Sequence, residues 1–190
     1  AGTITNKGFE FSANYRDNIG DFGYNIGGNL TYVVNEFTKL PDGIDYIQLN
    51  DKRISIGRPL GYFYGLKTEG IYQSDAEVPG TPGYADAKAG DIKFADIDGD
   101  KKLTEADRTY LGSPIPKFYY GINMGANYKS FDLSIVLQGV GKYTVNNGPR
   151  QALESMNSSQ NQSTTVLNRW TPTNKSNTMP SANSGYNTNN

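Results

Sequence analysis

Neither cysteine nor histidine occurs among the 190 residues. Their absence removes disulfide frameworks, the usual zinc ligand sets, and the Ser-His-Asp and Cys-His nucleophile systems, so no enzyme is expected. A basic surplus is missing too. With 18 Lys and Arg against 19 Asp and Glu, the chain lacks the electrostatic footprint of nucleic-acid binding, and no nucleic-acid partner is expected. No stretch approaches the roughly 18 apolar residues of a membrane helix. The first six residues, Ala1 to Asn6, have neither the basic start nor the apolar run of an export signal. Any membrane span must therefore be built from strands, and any export signal is expected outside this chain. Leucine is scarce while Gly, at 22, and Tyr, at 14, are abundant, a balance that favours long strands and turns.

Strict alternation confirms the β character. Phe9, Phe11, Ala13 and Tyr15 face one way and Glu10, Ser12, Asn14 and Arg16 the other, the period-2 signature of a strand. After a turn at Asp17–Asp21, Phe22, Tyr24, Ile26, Gly28, Leu30, Tyr32 and Val34 alternate with Gly, Asn, Thr and Val. A second hairpin follows, with Phe118, Tyr120, Ile122, Met124, Ala126 and Tyr128 on one side, a tight turn at Ser130, and Phe131, Leu133, Ile135 and Leu137 returning. The pattern places strands at about 8–16, 22–35, 118–129 and 131–141.

Alternation alone also fits a soluble β-sandwich. Three features favour a transmembrane barrel. The strands run to bilayer-crossing length, about 10 residues or more. Aromatics cluster at both ends of the apolar faces with small or aliphatic residues between, as two interfacial girdles do, while Glu10, Arg16, Lys129 and Asp132 all fall on the other, lumen-type face. Connections alternate between tight turns and the long segments 36–117 and 143–190, the parity of periplasmic turns and extracellular loops. The fold class expected is therefore all-β: a fragment of a large antiparallel transmembrane β-barrel, two long hairpins with long extracellular loops. The alternative is a surface β-sandwich that binds carbohydrate through a calcium-stiffened loop.

The long 36–117 segment contains an EF-hand-like run, Asp96-Ile97-Asp98-Gly99-Asp100-Lys101-Lys102 onward to Asp107. Asp96, Asp98 and Asp100 stand at positions 1, 3 and 5, the Lys102 carbonyl at 7 and Asp107 at 12, a donor set suited to a structural Ca²⁺. Position 6 is Lys101 rather than glycine, and position 12 is Asp rather than Glu. The metal-free reading is an acidic turn capped by Thr104 and Asp107, opening a short helix that ends near Gly112. A carboxylate pair for glycosidase chemistry has no identifiable partner. Tyr62, Phe63 and Tyr64 lie among glycines and, with Trp170, are candidates for ligand or partner contact, or else for packing of the loop. The tail from Asn146 holds 27 Asn, Gln, Ser and Thr among 45 residues and is expected to be a polar surface loop.

In order along the chain, Asn6-Lys7-Gly8-Phe9-Glu10, the Gly61–Tyr72 aromatic-glycine run, Ala89-Gly90-Asp91-Ile92-Lys93-Phe94-Ala95-Asp96, Leu111-Gly112-Ser113-Pro114-Ile115-Pro116 and Arg169-Trp170-Thr171-Pro172 resemble the SusC/RagA family of TonB-linked outer-membrane proteins. The resemblance covers the late barrel only; the plug domain and remaining strands are expected outside this chain. It implies a multi-pass barrel in the outer membrane of a Gram-negative bacterium, surrounded by lipid. It further implies a SusD-like surface lipoprotein as partner, the TonB complex acting through the missing N-terminal region, and an oligosaccharide or peptide substrate.

Overall fold

The computed structural model describes residues 2–80, 87–156 and 161–182; positions 81–86 of the expected 36–117 loop and 157–160 and 183–190 of the expected tail loop lie outside the described residues. In chain order the strands are β1 (Thr3–Ile19), β2 (Phe22–Lys39), β3 (Tyr46–Leu49), β4 (Lys52–Ser55), β5 (Tyr62–Leu66), β6 (Thr68–Ile71), β7 (Ile92–Phe94), β8 (Arg108–Gly112), β9 (Phe118–Tyr128) and β10 (Phe131–Gly141), followed by helix α1 (Gly148–Glu154). No helix among the described residues is long and apolar enough to cross a membrane, which leaves strand-built spans open. The chain divides into two compact units, Ala1–Phe63 with Gly112–Val145 and Tyr64–Leu111 with Asn146–Asn190.

The first unit is dominated by a four-stranded antiparallel sheet in the order β1-β2-β9-β10. Both hairpins close in two residues. Ile19 pairs with Phe22 around Gly20-Asp21, and Tyr128 with Phe131 around Lys129-Ser130. The first turn position takes positive φ in each, 61° at Gly20 and 53° at Lys129, the backbone that matches the twist of the strands it joins. The first turn is thus tighter than the Asp17–Asp21 expected, because Asp17 and Asn18 stay in the ladder opposite Tyr24 and Gly23. β1 also begins earlier than the alternation indicated: Ile4 to Asn6 pair with Asn35 to Phe37, and Asn35 Nδ2 donates to Asn6 Oδ1 at 2.7 Å. Pairing with a long partner extends the strand where the apolar pattern has faded.

The segment 36–117, expected as loop, carries short strands. In the first unit β3 and β4 form a hairpin turning at Asn50, φ 53°, and Lys52 and Arg53 pair with Phe63 and Tyr62. Phe37 lies in this region's core with Leu40, its N–H donating to Arg58 O and its carbonyl accepting from Gly57 N–H, both at 2.9 Å. In the second unit β6 pairs with β7 across the intervening loop, and Ala95 N–H donates to Lys67 O at 2.8 Å. The helix expected to end near Gly112 is a single 3-10 turn, Glu105–Asp107; Arg108-Thr109-Tyr110-Leu111, rich in strand formers, continues as β8.

The described part of the tail is built into the second unit rather than lying loose. Trp170, Met179, Ile71, Tyr72 and Ala95 are buried apolar residues there. Trp170 N–H donates to Met179 O at 2.9 Å and its indole Nε1–H to Gln73 Oε1 at 3.1 Å. A backbone relay runs beside it: Tyr72 N–H to Asp91 O, Gly90 N–H to Tyr72 O and Ser181 N–H to Gly90 O, at 2.8 to 3.0 Å.

Candidate functional site

Two features of the structure carry chemistry: the two faces of the long sheet, and the acidic loop. Parity assigns the faces. One bears Phe9, Phe11, Tyr15, Ile26, Leu30, Ile122, Phe131, Leu133, Ile135 and Leu137, all of them exposed. Burying such side chains is worth about 1.5–3 kcal/mol each, so an uncovered face of this size is a surface built for apolar surroundings. Its aromatics pair into two bands. Phe9, Tyr32 and Phe118 stand 5.6 and 4.9 Å apart between ring centroids; Tyr15, Tyr24 and Phe22 stand 6.1 and 6.0 Å apart. Tyr24 and Tyr32 lie on one strand, eight positions apart, or about 27 Å at roughly 3.4 Å per residue. A tilt of about 40° reduces that to about 21 Å, close to the apolar band of an outer-membrane barrel.

The opposite face is amide and glycine in register. Rows across β1, β2 and β9 read Ser12-Asn29-Gly121, Asn14-Gly27-Asn123, Arg16-Asn25-Gly125 and Asn18-Gly23-Asn127. Five of these six asparagines, all but Asn123, lean over a glycine. A Cβ at Gly27 would overlap Asn14 Oδ1, one at Gly125 would overlap Asn25 Oδ1, and one at Gly121 would stand 2.6 Å from Asn29 Oδ1. Glycine here marks close approach rather than flexibility, and the result is a polar surface on which Arg16 is the one charged side chain of these four rows. Sequence reading saw Asn and Gly on this side but not that they oppose one another, since pairing partners lie up to 104 residues apart, as at Gly23 and Asn127.

The acidic loop follows β7 and folds around its own carboxylates. Asp96 accepts from Gly99 N–H at 2.7 Å and Lys101 N–H at 2.8 Å; Asp98 accepts from Asp100 N–H at 3.1 Å; Asp100 accepts from Lys102 N–H at 2.8 Å. Asp107, fully buried, closes the loop by accepting from Ile97 N–H at 2.9 Å and Thr104 N–H at 2.7 Å. Thr104 Oγ1 accepts from Ala106 N–H, completing a capping box. The Thr104 N–H, then that of Ile97, hold the Asp107 carboxyl below the usual carboxylate range.

Carboxylate oxygens of Asp96, Asp98 and Asp107 lie within 4.8 Å of one another. Oxygens sharing one Ca²⁺ at about 2.4 Å can be no farther apart than about 4.8 Å, so the three fit a single hard dication. Asp100 is not among them; its carboxylate turns to Lys102. Lys101 adopts φ 62°, so the left-handed conformation usually supplied by glycine at position 6 is present although the side chain is not glycine. Of the contact candidates, Tyr62 and Phe63 are buried and Tyr64 half-buried. The Tyr62 hydroxyl is 2.9 Å from Ser55 Oγ, Lys52 sits over the Phe63 ring, and Trp170 is buried beneath Lys175.

No family model matches the chain. Among curated proteins it is 33% identical to TonB-dependent receptor P3 of Formosa agariphila over 191 residues, 94% of this chain and 19% of that protein. TonB-dependent receptor P26 of the same organism is 29% identical over 95% of the chain and 19% of its own length. TonB-dependent receptor SusC of Bacteroides thetaiotaomicron is 29% identical over 72% and 14%. Among solved structures, the RagAB peptide transporter superposes with a TM-score of 0.75 at 22% identity, covering 95% of this chain and 20% of that one. The RagAB peptide importer in its open-open state gives 0.72 at the same identity. The chain spans about a fifth of the length of the first two relatives, and its fold is that of a fragment of a TonB-dependent β-barrel protein.

Proposed function

We propose, from the premise that the chain is homologous to one segment of the TonB-dependent receptors of the SusC/RagA family, that β1, β2, β9 and β10 form part of the wall of an outer-membrane importer. Members of that family are receptors and transporters, not enzymes. The observation that carries the reading is the exposed apolar face with its two aromatic bands, backed by a wet amide face. Lipid covers the first face; the second lines the lumen. The segments between β2 and β9 and beyond β10 form the extracellular mouth, where a SusD-like lipoprotein docks, and the TonB complex drives transport through another part of the receptor. The cargo is an oligosaccharide or a peptide; one relative is named SusC and the RagAB structures are described as a peptide transporter.

Labelling tests the faces. The chain has no cysteine, so Ile26→Cys and Asn25→Cys, placed in the intact receptor with any other cysteine removed, give single reporters on opposite sides of β2. A water-soluble maleimide is expected to label position 25 and spare position 26 in membranes. Equal labelling of both sinks the barrel-wall reading.

The acidic loop, on the same proposal, holds a structural Ca²⁺ through Asp96, Asp98, Asp100, the Lys102 carbonyl and Asp107. Support comes from the three converging oxygens and the left-handed Lys101. Millimolar Ca²⁺ against chelator should slow amide exchange across residues 96–107, and Asp98→Ala should abolish the difference. Identical exchange in wild type with and without the ion removes the site.

A further inference from the structure

We propose that the amide face carries a subsite for one uncharged sugar ring, formed by Asn29, Thr31, Tyr119, Gly121, Gln138 and Val140. The inference rests on the reading that this face is the lumenal wall, and it goes further by naming the cargo class and the residues that select it. These six are among the eight that line a groove of about 510 Å³, within the range of small-ligand sites. The other two lining residues, Tyr120 and Gly139, alternate with these and belong by parity to the apolar face, whereas Leu30, Ile122 and Leu137 do not line the groove; six of the eight thus belong to the wet side.

Strand register arranges the six as two rows of three. Asn29 on β2 opposes Gly121 on β9, which opposes Gln138 on β10; two positions along, Thr31 opposes Tyr119, which opposes Val140. With strands about 4.8 Å apart, Asn29 and Gln138 stand about 10 Å from each other across a glycine. Gly121 contributes no side chain, and the Asn29 amide leans into the space it leaves, with Oδ1 2.6 Å from where a Cβ would stand, so the Asn29 amide forms the floor and Gln138 stands beside it. Each amide offers both a donor and an acceptor, the complement of neighbouring sugar hydroxyls. Tyr119, 40% exposed, presents an apolar ring face with a polar tip, the partner for the C–H face of a pyranose. Val140 is exposed beside it.

Among the described residues, the side chains of Asn29, Thr31, Tyr119 and Gln138 make no hydrogen bonds to protein, so their bonding capacity is unspent. None of the six is charged. Glu10 opposes Thr31 from the outer strand and disfavours anionic sugars. Charged peptide termini find no counter-ion among the lining residues.

Calorimetry on the intact receptor in detergent tests this, using uncharged hexasaccharides of glucose, mannose and xylose in several linkages, a hexagalacturonate, and an uncharged decapeptide. At least one uncharged hexasaccharide should bind and the hexagalacturonate should not. Tyr119→Ala should weaken binding tenfold or more, and Asn29→Ala and Gln138→Ala threefold or more each. Tyr119→Phe should retain it, and Asn123→Ala, two positions from Gly121 on the same face, should leave it unchanged. Failure of every uncharged sugar to bind, binding of the peptide instead, or indifference to Tyr119→Ala with Gln138→Ala overturns the subsite. The 25/26 labelling pattern distinguishes the two failures. If it stands, only the subsite is lost; if it collapses, the wall reading falls with it.

Discussion

Gly90→Ala is expected to loosen the core of the second unit by two additive mechanisms. Gly90 sits at φ 95°, where an L side chain strains the backbone by about 1–3 kcal/mol. The added Cβ would also stand 2.6 Å from Trp170 Cε3 and 2.8 Å from Ser181 Cβ, overpacking that costs about 1–3 kcal/mol. A mid-range sum of about 4 kcal/mol, on which 1.4 is tenfold, predicts exchange of the Tyr72, Trp170 and Ser181 amides faster by roughly 10²- to 10³-fold. All three amides are bonded around this glycine. Hydrogen exchange read by mass spectrometry on the intact receptor measures it. Gly80→Ala, at φ 65° with nothing within 4 Å of the new Cβ, suffers the strain without the overlap and should leave Trp170 protected. Adding Ser181→Gly to Gly90→Ala should recover part of the loss. Unchanged protection at Tyr72 and Ser181 in Gly90→Ala refutes the reasoning.

Gly8→Ala would drive a Cβ into the Tyr32 carbonyl oxygen and to 3.0 Å from Val33 Cα, both backbone of the neighbouring strand. It should lower urea resistance of the refolded receptor by about 1–3 kcal/mol, whereas Gly28→Ala, whose nearest neighbour would be Gly121 O at 3.6 Å, should stay within about 0.5 kcal/mol. Equal effects would show that the close approach at Gly8 does not matter. Glu154 is held below the usual carboxylate range by its hydrogen bonds to Arg150 and then Thr165. Because the folded value is the lower one, its stabilisation is complete above the ordinary glutamate pKa of about 4.3 and is lost as pH falls through the folded value. Protection of the Ser163 amide, bonded to Leu153 O, should therefore be flat from pH 7 to 5 and fall below about pH 4; Glu154→Gln should flatten that fall, and an unaltered profile in the variant would reject the link.

The long hairpins were legible because alternation over many residues is a local signal, and Phe9 to Tyr15 or Phe118 to Tyr128 declare their faces without help from distant partners. The short strands inside 36–117 were not. Thr68–Ile71 and Ile92–Phe94 are three or four residues each, too short for a period, and owe their conformation to one another across the chain. Arg108–Gly112 was hidden by the capping signature of Thr104 and Asp107, which is real but ends after one turn. At the acidic loop the spacing of carboxylates was readable; the left-handed backbone of Lys101 was not, because nothing in a lysine announces positive φ. The groove around Gly121 needed three strands in register before it existed at all.

The rows of asparagine and glycine bear on how such a wall assembles. Apolar alternation forbids slips of one residue between neighbouring strands but tolerates slips of two, which return every side chain to its own face. In the native register Asn25 meets Gly125 and Gly27 meets Asn123. Displaced by two, Asn25 would meet Asn127 and Gly27 would meet Gly125, crowding amides in one row and leaving a void in the next. The pattern repeats only after four. β2 and β9, joined by a long connection that cannot dictate their alignment as a two-residue turn does, thus carry their own vernier, and a newly inserted hairpin can find its place against its neighbour by side-chain fit alone.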